Sequence, residues 1–248
     1  MAEPNPPTAV VCGAATPIGV ALVERLRASG AAVIAVDLPG AVAAGADLQL
    51  NGDLAEDRDW PALAQAIQAH GAPPTMLAYL LAESEAPSAL ADLAQPVWDR
   101  VMNRNLRGAY LACRHLFPLM GRPGAAVLLA SVLGGWDVRA DSAALSASGG
   151  GVLALARSLA ASGAPLGLRV NAVVCDAPLA DWPEGPARDR ALARTPLGRA
   201  TTPGDVADAI MFLLSEDAGF LTGSELVVDG GQSLQSWSNA PDAPYSEL

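Results

Sequence analysis

Gly13 and Gly19 bracket a turn, Cys12-Gly13-Ala14-Ala15-Thr16-Pro17-Ile18-Gly19, that follows an apolar run and leads into a helical pattern through Val20 and Leu26. Glycines in that setting bring bare backbone up to a pyrophosphate at a helix N-terminus. Pro17 lies between them; proline has no N–H for a phosphate, although it also favours the first turn of a helix. Asp37 closes the second apolar run, where a carboxylate accepts hydrogen bonds from the hydroxyls of an adenosine ribose and disfavours a 2′-phosphate. Alone it points to NAD over NADP, and it reads equally as an ordinary turn or cap residue. All fifteen basic residues are arginine and none is lysine, so no ammonium is available to tune a neighbouring acid.

These residues need a scaffold, and the chain alternates short apolar runs with helical patterns. Strands are expected at Ala9–Cys12, Ala31–Val36, Leu48–Leu50, Met76–Leu81, Ala126–Ala130, Leu168–Val174 and Leu226–Val228. Helices are expected from about Gly19 to Ser29 and near Pro61–Ala69, Val97–Met120, Ser142–Ala160 and Asp205–Leu214. That order predicts an α/β, doubly wound, seven-stranded parallel sheet flanked by helices on both faces. Unbroken apolar strands fit a sheet covered on both sides. Gly149-Gly150-Gly151 interrupts the fourth of these helices or permits a close helix approach. One domain over residues 1–248 is the expectation, with an N-terminal arm at 1–7, a Pro- and Gly-rich substrate-loop region at 175–203 and a tail at 232–248.

A formal net charge of −11 repels nucleic acid and anionic membrane surfaces. Cys12, Cys113 and Cys175 are odd in number and lie in apolar runs, as buried free thiols would, and neither a disulfide nor a metal site is expected. Residues 1–7 lack the basic and apolar regions of a signal peptide, and no segment reads as long and apolar enough to cross a bilayer. A soluble, cytoplasmic protein is expected.

The glycine turn, with Trp98-Asp99-Arg100-Val101-Met102-Asn103-Arg104-Asn105, Val127-Leu128-Leu129-Ala130-Ser131 and Val227-Val228-Asp229-Gly230-Gly231, resembles the short-chain dehydrogenases/reductases over about residues 8–231. The resemblance implies a Rossmann-like fold and NAD-dependent alcohol chemistry. It places Gly13, Gly19, Asp37 and Asp53 at the cofactor, the last beside the adenine ring. Asn105 falls at the asparagine that holds a proton-relay water, and Ser131 at the serine that bonds the substrate oxygen. The family's general acid/base is a tyrosine four residues before a lysine whose ammonium lowers the phenol's pKa. Here those positions read Ala144 and Ser148.

Other departures agree. The family's Asn-Asn-Ala-Gly after the fourth strand is Leu80-Leu81-Ala82-Glu83, and its Pro-Gly turn and threonine at the nicotinamide give way to Cys175-Asp176-Ala177-Pro178-Leu179-Ala180. Tyr79 falls in a strand, Tyr110 in a helix at a spacing that suggests core, and Tyr245 in the tail. Asp137, Arg139 and Asp141, the nearest polar groups, read as solvated loop or cap residues. The C-terminal pattern through Thr195-Pro196-Leu197-Gly198-Arg199 and Pro203-Gly204-Asp205 is kept, and in the family this region helps form tetramer interfaces.

The resemblance therefore implies a catalytically inactive subunit, with Asn105, Ser131, Gly13, Gly19, Asp37 and Asp53 as relicts. No cofactor is expected on this chain, and NAD is expected on an active short-chain dehydrogenase partner in a heterotetramer. Trp237 and Tyr245 are candidates to line that partner's site. An active oxidoreductase with a non-standard proton donor, or non-redox chemistry on the same fold, are the alternatives.

Overall fold

The structure is a computed structural model in which residues 6–175, 185, 189, 192–193 and 195–234 are described. Seven parallel strands form one sheet in the order β3-β2-β1-β4-β5-β6-β7. They are β1 (Thr8–Cys12), β2 (Ala32–Asp37), β3 (Leu48–Asn51), β4 (Met76–Tyr79), β5 (Gly124–Ser131), β6 (Leu168–Cys175) and β7 (Glu225–Val228). The expected sheet is present, each strand shifted by a residue or two at its ends. Val11 pairs in register with Ala35 on one side and Ala78 on the other. The order reverses between β1 and β4, so the crevice at their carboxyl ends is the topological switch point at which such sheets bind ligands.

Helices α1 (Pro17–Ala28), α2 (Trp60–Ala69), α3 (Gln95–Met102), α4 (Gly108–Leu116), α5 (Ala143–Gly163) and α6 (Pro203–Leu214) cover the faces. Thr16 caps α1, its hydroxyl accepting the Gly19 N–H at 3.0 Å, and Pro17 takes a first-turn position where its missing N–H costs nothing. Thr202 and Asp205 form a reciprocal capping box on α6. Alternate residues of each strand enter separate cores. Val10, Ile34 and Tyr79 pack with Trp60, Leu111 and Val152 on one face, and Ala9, Val11 and Val33 with Leu22, Leu26 and Ile210 on the other.

Three expectations are corrected. The long helix over 97–120 is divided: a π-turn at Asn103–Arg107 separates α3 from α4, and a 3-10 turn at Phe117–Leu119, containing Pro118, ends it. Proline cannot extend the helical ladder, and the π-turn inserts a wider loop of backbone bonds that turns Asn105 inward. The second correction concerns Gly149–Gly151, which do not interrupt α5; the helix runs through them. A Cβ on Gly149 would lie 3.1 Å from Gly134 Cα, and one on Gly151 would lie 2.7 Å from Leu106 Cδ2. The three glycines thus let α5 seat against the turn after β5 and against the π-turn.

The third correction is that α5 and the turn after it, Ala143–Leu166, are long and apolar enough to span a bilayer. They form a core helix of this fold instead, with Val152, Leu153, Ala156 and Ala160 packed on the sheet. The three cysteines are buried and form no disulfide, as expected. Most of the substrate-loop region, residues 1–5 of the arm, and residues 235–248 of the tail, with Trp237 and Tyr245, lie outside the described residues.

Candidate functional site

The sequence-predicted residues converge at the carboxyl ends of β1, β2, β4 and β5. Gly13 leaves β1 with φ +88, a backbone open mainly to glycine. A Cβ there would meet the Leu81 backbone N and side chain at 3.2 Å each, so Leu81 stands against the mouth of the switch-point crevice. Gly19 is equally constrained, since a Cβ would lie 2.1 Å from the Gly13 carbonyl oxygen.

The polar groups of this turn are mostly engaged with one another. The Thr16 hydroxyl donates to Gly13 O at 2.7 Å while accepting from the Gly19 N–H. The Thr16 N–H donates to Gly13 O at 3.1 Å, and the Ala15 N–H to Asp37 Oδ1 at 3.0 Å. Pro17 has none to give.

Asp37 is 2% exposed. Burial raises its carboxyl pKa above the ordinary range, against the opposing hydrogen bonds from Ala15 and Gln49. Asp53 is exposed, and its Oδ1 accepts the Ala55 N–H at 3.1 Å in a local turn. The structure therefore brings Gly13, Gly19 and Asp37 together and leaves Asp53 on the rim.

At the other end, Asn105 is 6% exposed, and both ends of its amide are hydrogen-bonded. Its Oδ1 accepts the Glu83 N–H at 2.7 Å, while Nδ2 donates to Glu83 O at 2.9 Å and to Ser148 Oγ at 3.1 Å. The Ser148 hydroxyl donates onward to Leu145 O at 3.1 Å. Ala144 and Ser148 are both 0% exposed. Ser131 ends β5 half-buried, and its hydroxyl accepts the Leu133 N–H at 3.2 Å, capping the turn that carries Gly134.

Two glutamates complete this region. Glu83 bridges Arg100 and Arg104, at 3.2 and 2.6 Å. Glu85 Oε1 accepts the Leu145 N–H at 2.9 Å in the first turn of α5, and its Oε2 is buried without a hydrogen-bond partner among the described residues. Ser142, the residue before α5, makes no side-chain cap, so Glu85 supplies that acceptor from another segment.

A family model described as Enoyl-(Acyl carrier protein) reductase matches residues 13–233. The chain belongs to the short-chain dehydrogenase/reductase family. It is 37% identical to cis-4-hydroxycyclohexanecarboxylate dehydrogenase of Sinomonas cyclohexanicum, over 90% of this chain and 95% of that protein. It is 31% identical to (3R)-3-hydroxyacyl-CoA dehydrogenase of Rattus norvegicus, over 90% and 95%. Among solved structures, ligand-free aldohexose dehydrogenase of Thermoplasma acidophilum superposes with a TM-score of 0.83 at 28% identity, covering 94% of this chain and 96% of that one.

Of the three tyrosines in this short-chain dehydrogenase/reductase, none among the described residues replaces the missing phenol. Tyr79 is 1% exposed and its hydroxyl donates to Arg104 O across the π-turn. Tyr110 is 45% exposed on the outer side of α4, which corrects its expected core position. Arg139 and Asp141 pair with each other at 3.4 Å in the loop before α5. The sequence reading missed Glu83 and Glu85. Their signal was an acidic pair in place of the family's glycine and the residues after it.

Proposed function

We propose that this chain is a catalytically silent subunit of an NAD-dependent short-chain dehydrogenase complex acting on an alcohol or a 3-hydroxyacyl-CoA. The observation that carries the reading is the bond between Asn105 and Ser148. It fastens the family's relay asparagine to the residue in the lysine's place, beneath a buried alanine in the tyrosine's place. An alanine carries no proton, and serine brings neither the charge nor the reach of lysine. Loss of a positioned acid/base costs about 10²–10⁴ in rate by itself.

The residues at the switch point fit NAD poorly. Pro17 withdraws one donor, the neighbouring N–H groups are engaged internally, and Leu81 stands against Gly13 where the family has an amide. No step through the cofactor is assigned to this chain. NAD is placed on an active short-chain dehydrogenase subunit, with which this one assembles as a heterotetramer in the cytoplasm. The arrangement resembles the two-subunit dehydrogenase of anaerobic toluene breakdown, which oxidises 2-[hydroxy(phenyl)methyl]succinyl-CoA with NAD and has one subunit without a working site. In this reading Trp237 and Tyr245 help to line the partner's pocket.

NADH titration into the isolated chain, followed by nicotinamide fluorescence, tests the proposal. No saturable binding below about 100 μM is expected, and a Kd near 1 μM would overturn it. One observation favours a second reading, an active enzyme with a non-standard proton donor. Glu85, whose Oε1 accepts the N–H of Leu145 next to Ala144, has a second, buried carboxyl oxygen without a hydrogen-bond partner among the described residues. If that reading holds, the wild type oxidises an alcohol with NAD and Glu85→Gln abolishes the turnover.

A further inference from the structure

Both oxygens of Asp37 are met by groups of this chain. Oδ1 accepts the Ala15 N–H at 3.0 Å and Oδ2 the side-chain amide of Gln49 at 3.4 Å. A carboxylate has room for about four hydrogen bonds, so capacity for a ribose hydroxyl remains, and at 2% exposure it is access that is denied. Residues 38–46, between β2 and β3, carry neither helix nor strand and lie on this side of the sheet. Ala43 packs in the same core as Val33, Ala35 and Leu22, and Asp37 shares the face of β2 that Val33 and Ala35 present there.

Two amides of β3 fasten this segment. Gln49 and Asn51 are two residues apart and share a face of the strand, in register with Ala35 and Asp37 of β2. Gln49 uses both ends of its amide: Nε2 donates to Asp37, and Oε1 accepts the Ala43 N–H at 2.9 Å. Asn51 Nδ2 donates to the Leu38 and Ala41 carbonyls, at 2.8 Å each, and holds the turn in which Gly40 has φ +86. At the far end Asp47 accepts the Val33 N–H at 2.7 Å and pairs with Arg27, which returns the chain to the sheet. Ala43 is the one buried residue of residues 38–46, and Val42 beside it is 79% exposed. A segment with so little apolar burial, held by side chains and not by a backbone ladder, opens locally at small cost once those side chains change.

Resting on the reading of this crevice as a disused cofactor site, we infer that Gln49 and Asn51 latch residues 38–46 over Asp37, and that beneath the latch lies a latent site for adenosine bearing both ribose hydroxyls. A 2′-deoxyribose lacks the donor for that carboxylate, and a 2′-phosphate is repelled by it. Gln49 is the specificity-determining residue, a neutral donor of the chain's own in the place of a ribose hydroxyl. Silence at this end of the crevice is then a closed and reversible state, unlike the loss at Ala144, where the working side chain is missing.

Adenosine and 2′-deoxyadenosine, titrated separately into the full-length chain and followed by ligand-observed NMR, test this, since neither probe needs the pyrophosphate turn at Pro17 or the nicotinamide end. Wild type should bind the two equally weakly, with any Kd above about 10 mM. Gln49→Val suits a strand and removes the amide. It should bind adenosine about ten-fold more tightly than wild type does, and about ten-fold more tightly than it binds 2′-deoxyadenosine, the worth of one hydrogen bond to a charged group. Adding Asp37→Ala should erase that preference, whereas a fold that was merely loosened would show no preference to erase. Wild type that already prefers adenosine, a Gln49→Val variant that gains nothing, or a preference that survives Asp37→Ala overturns the inference. If Gln49→Val does not fold, Asn51→Ser, which frees the Leu38 and Ala41 carbonyls, takes its place with the same expectations and the same overturning results. NADH titration of wild type keeps the two claims apart. No NADH binding with no adenosine gain in the variant removes the latch alone, whereas micromolar NADH binding by wild type with the adenosine gain intact removes the silent-subunit reading alone.

Discussion

The side-chain amide of Asn105 donates to the hydroxyl of Ser148 at 3.1 Å, joining the π-turn between α3 and α4 to the second turn of α5 in a buried environment. Asn105 also bonds the N–H and the carbonyl of Glu83. This amide thus ties three segments together, and it binds a serine where the family has a lysine.

Restoring the two missing side chains should therefore fail. Ala144→Tyr together with Ser148→Lys inserts bulk and a cation where both residues are 0% exposed. Overpacking costs about 1–3 kcal/mol, and a buried ammonium without a counter-ion adds to it. The expected outcome is a lower Tm and no NAD-dependent alcohol oxidation. Turnover from these two changes alone would show that the cofactor crevice is intact.

The glycine seam makes a prediction whose size depends on position. In Gly134→Ala the new Cβ would lie 2.5 Å from the Gly149 carbonyl carbon, against backbone that cannot yield. Destabilisation of about 1–3 kcal/mol is expected in urea unfolding. Gly150→Ala meets only the Gly134 carbonyl oxygen, at 3.1 Å, and gains about 1 kcal/mol of helix propensity, so its midpoint should hardly move.

Asp37 yields a pH dependence with a definite sign. Burial raises its folded pKa above the unfolded value, so the folded state holds the proton more tightly. Stability then declines as pH rises through the window from about 3.9, the unfolded value, to the raised folded one. Asp37→Asn keeps an acceptor for the Ala15 N–H and removes the buried charge. Its Tm should exceed that of wild type at pH 7–8, with the difference closing as pH falls towards about 4. A lower Tm for the variant at neutral pH would contradict this.

Asp205 behaves in the opposite sense. Both its oxygens bond Arg199 at 2.7 Å, and this pairing, with Thr202, holds its carboxyl well below the usual range. Its contribution is complete above the unfolded value of about 3.9 and is lost as pH falls through the depressed folded value. The stability gap between wild type and Asp205→Asn should thus be widest at neutral pH and shrink in acid titrations followed by circular dichroism.

The sheet was legible because its seven apolar runs are each too short for a helix and are separated by helical spacing. The glycine turn was legible because Gly13 and Gly19 flank the start of α1. The π-turn was not, since the bond that Arg104 O accepts comes from Tyr79 in a distant strand, and helical spacing alone placed Tyr110 in the core. The run Gly149–Gly151 was read as a break or a close approach, and Gly134 across the seam, invisible to helix propensity, decides for the approach. Glu85 was silent in sequence because its partner, the Leu145 N–H, is 60 residues away.

The most direct test of the silent-subunit account is native mass spectrometry of the complex isolated from its source cells, with and without NADH. The account predicts a mixed tetramer, two copies of this chain with two of an active short-chain dehydrogenase, taking up two NADH. A homotetramer of this chain taking up four would contradict it.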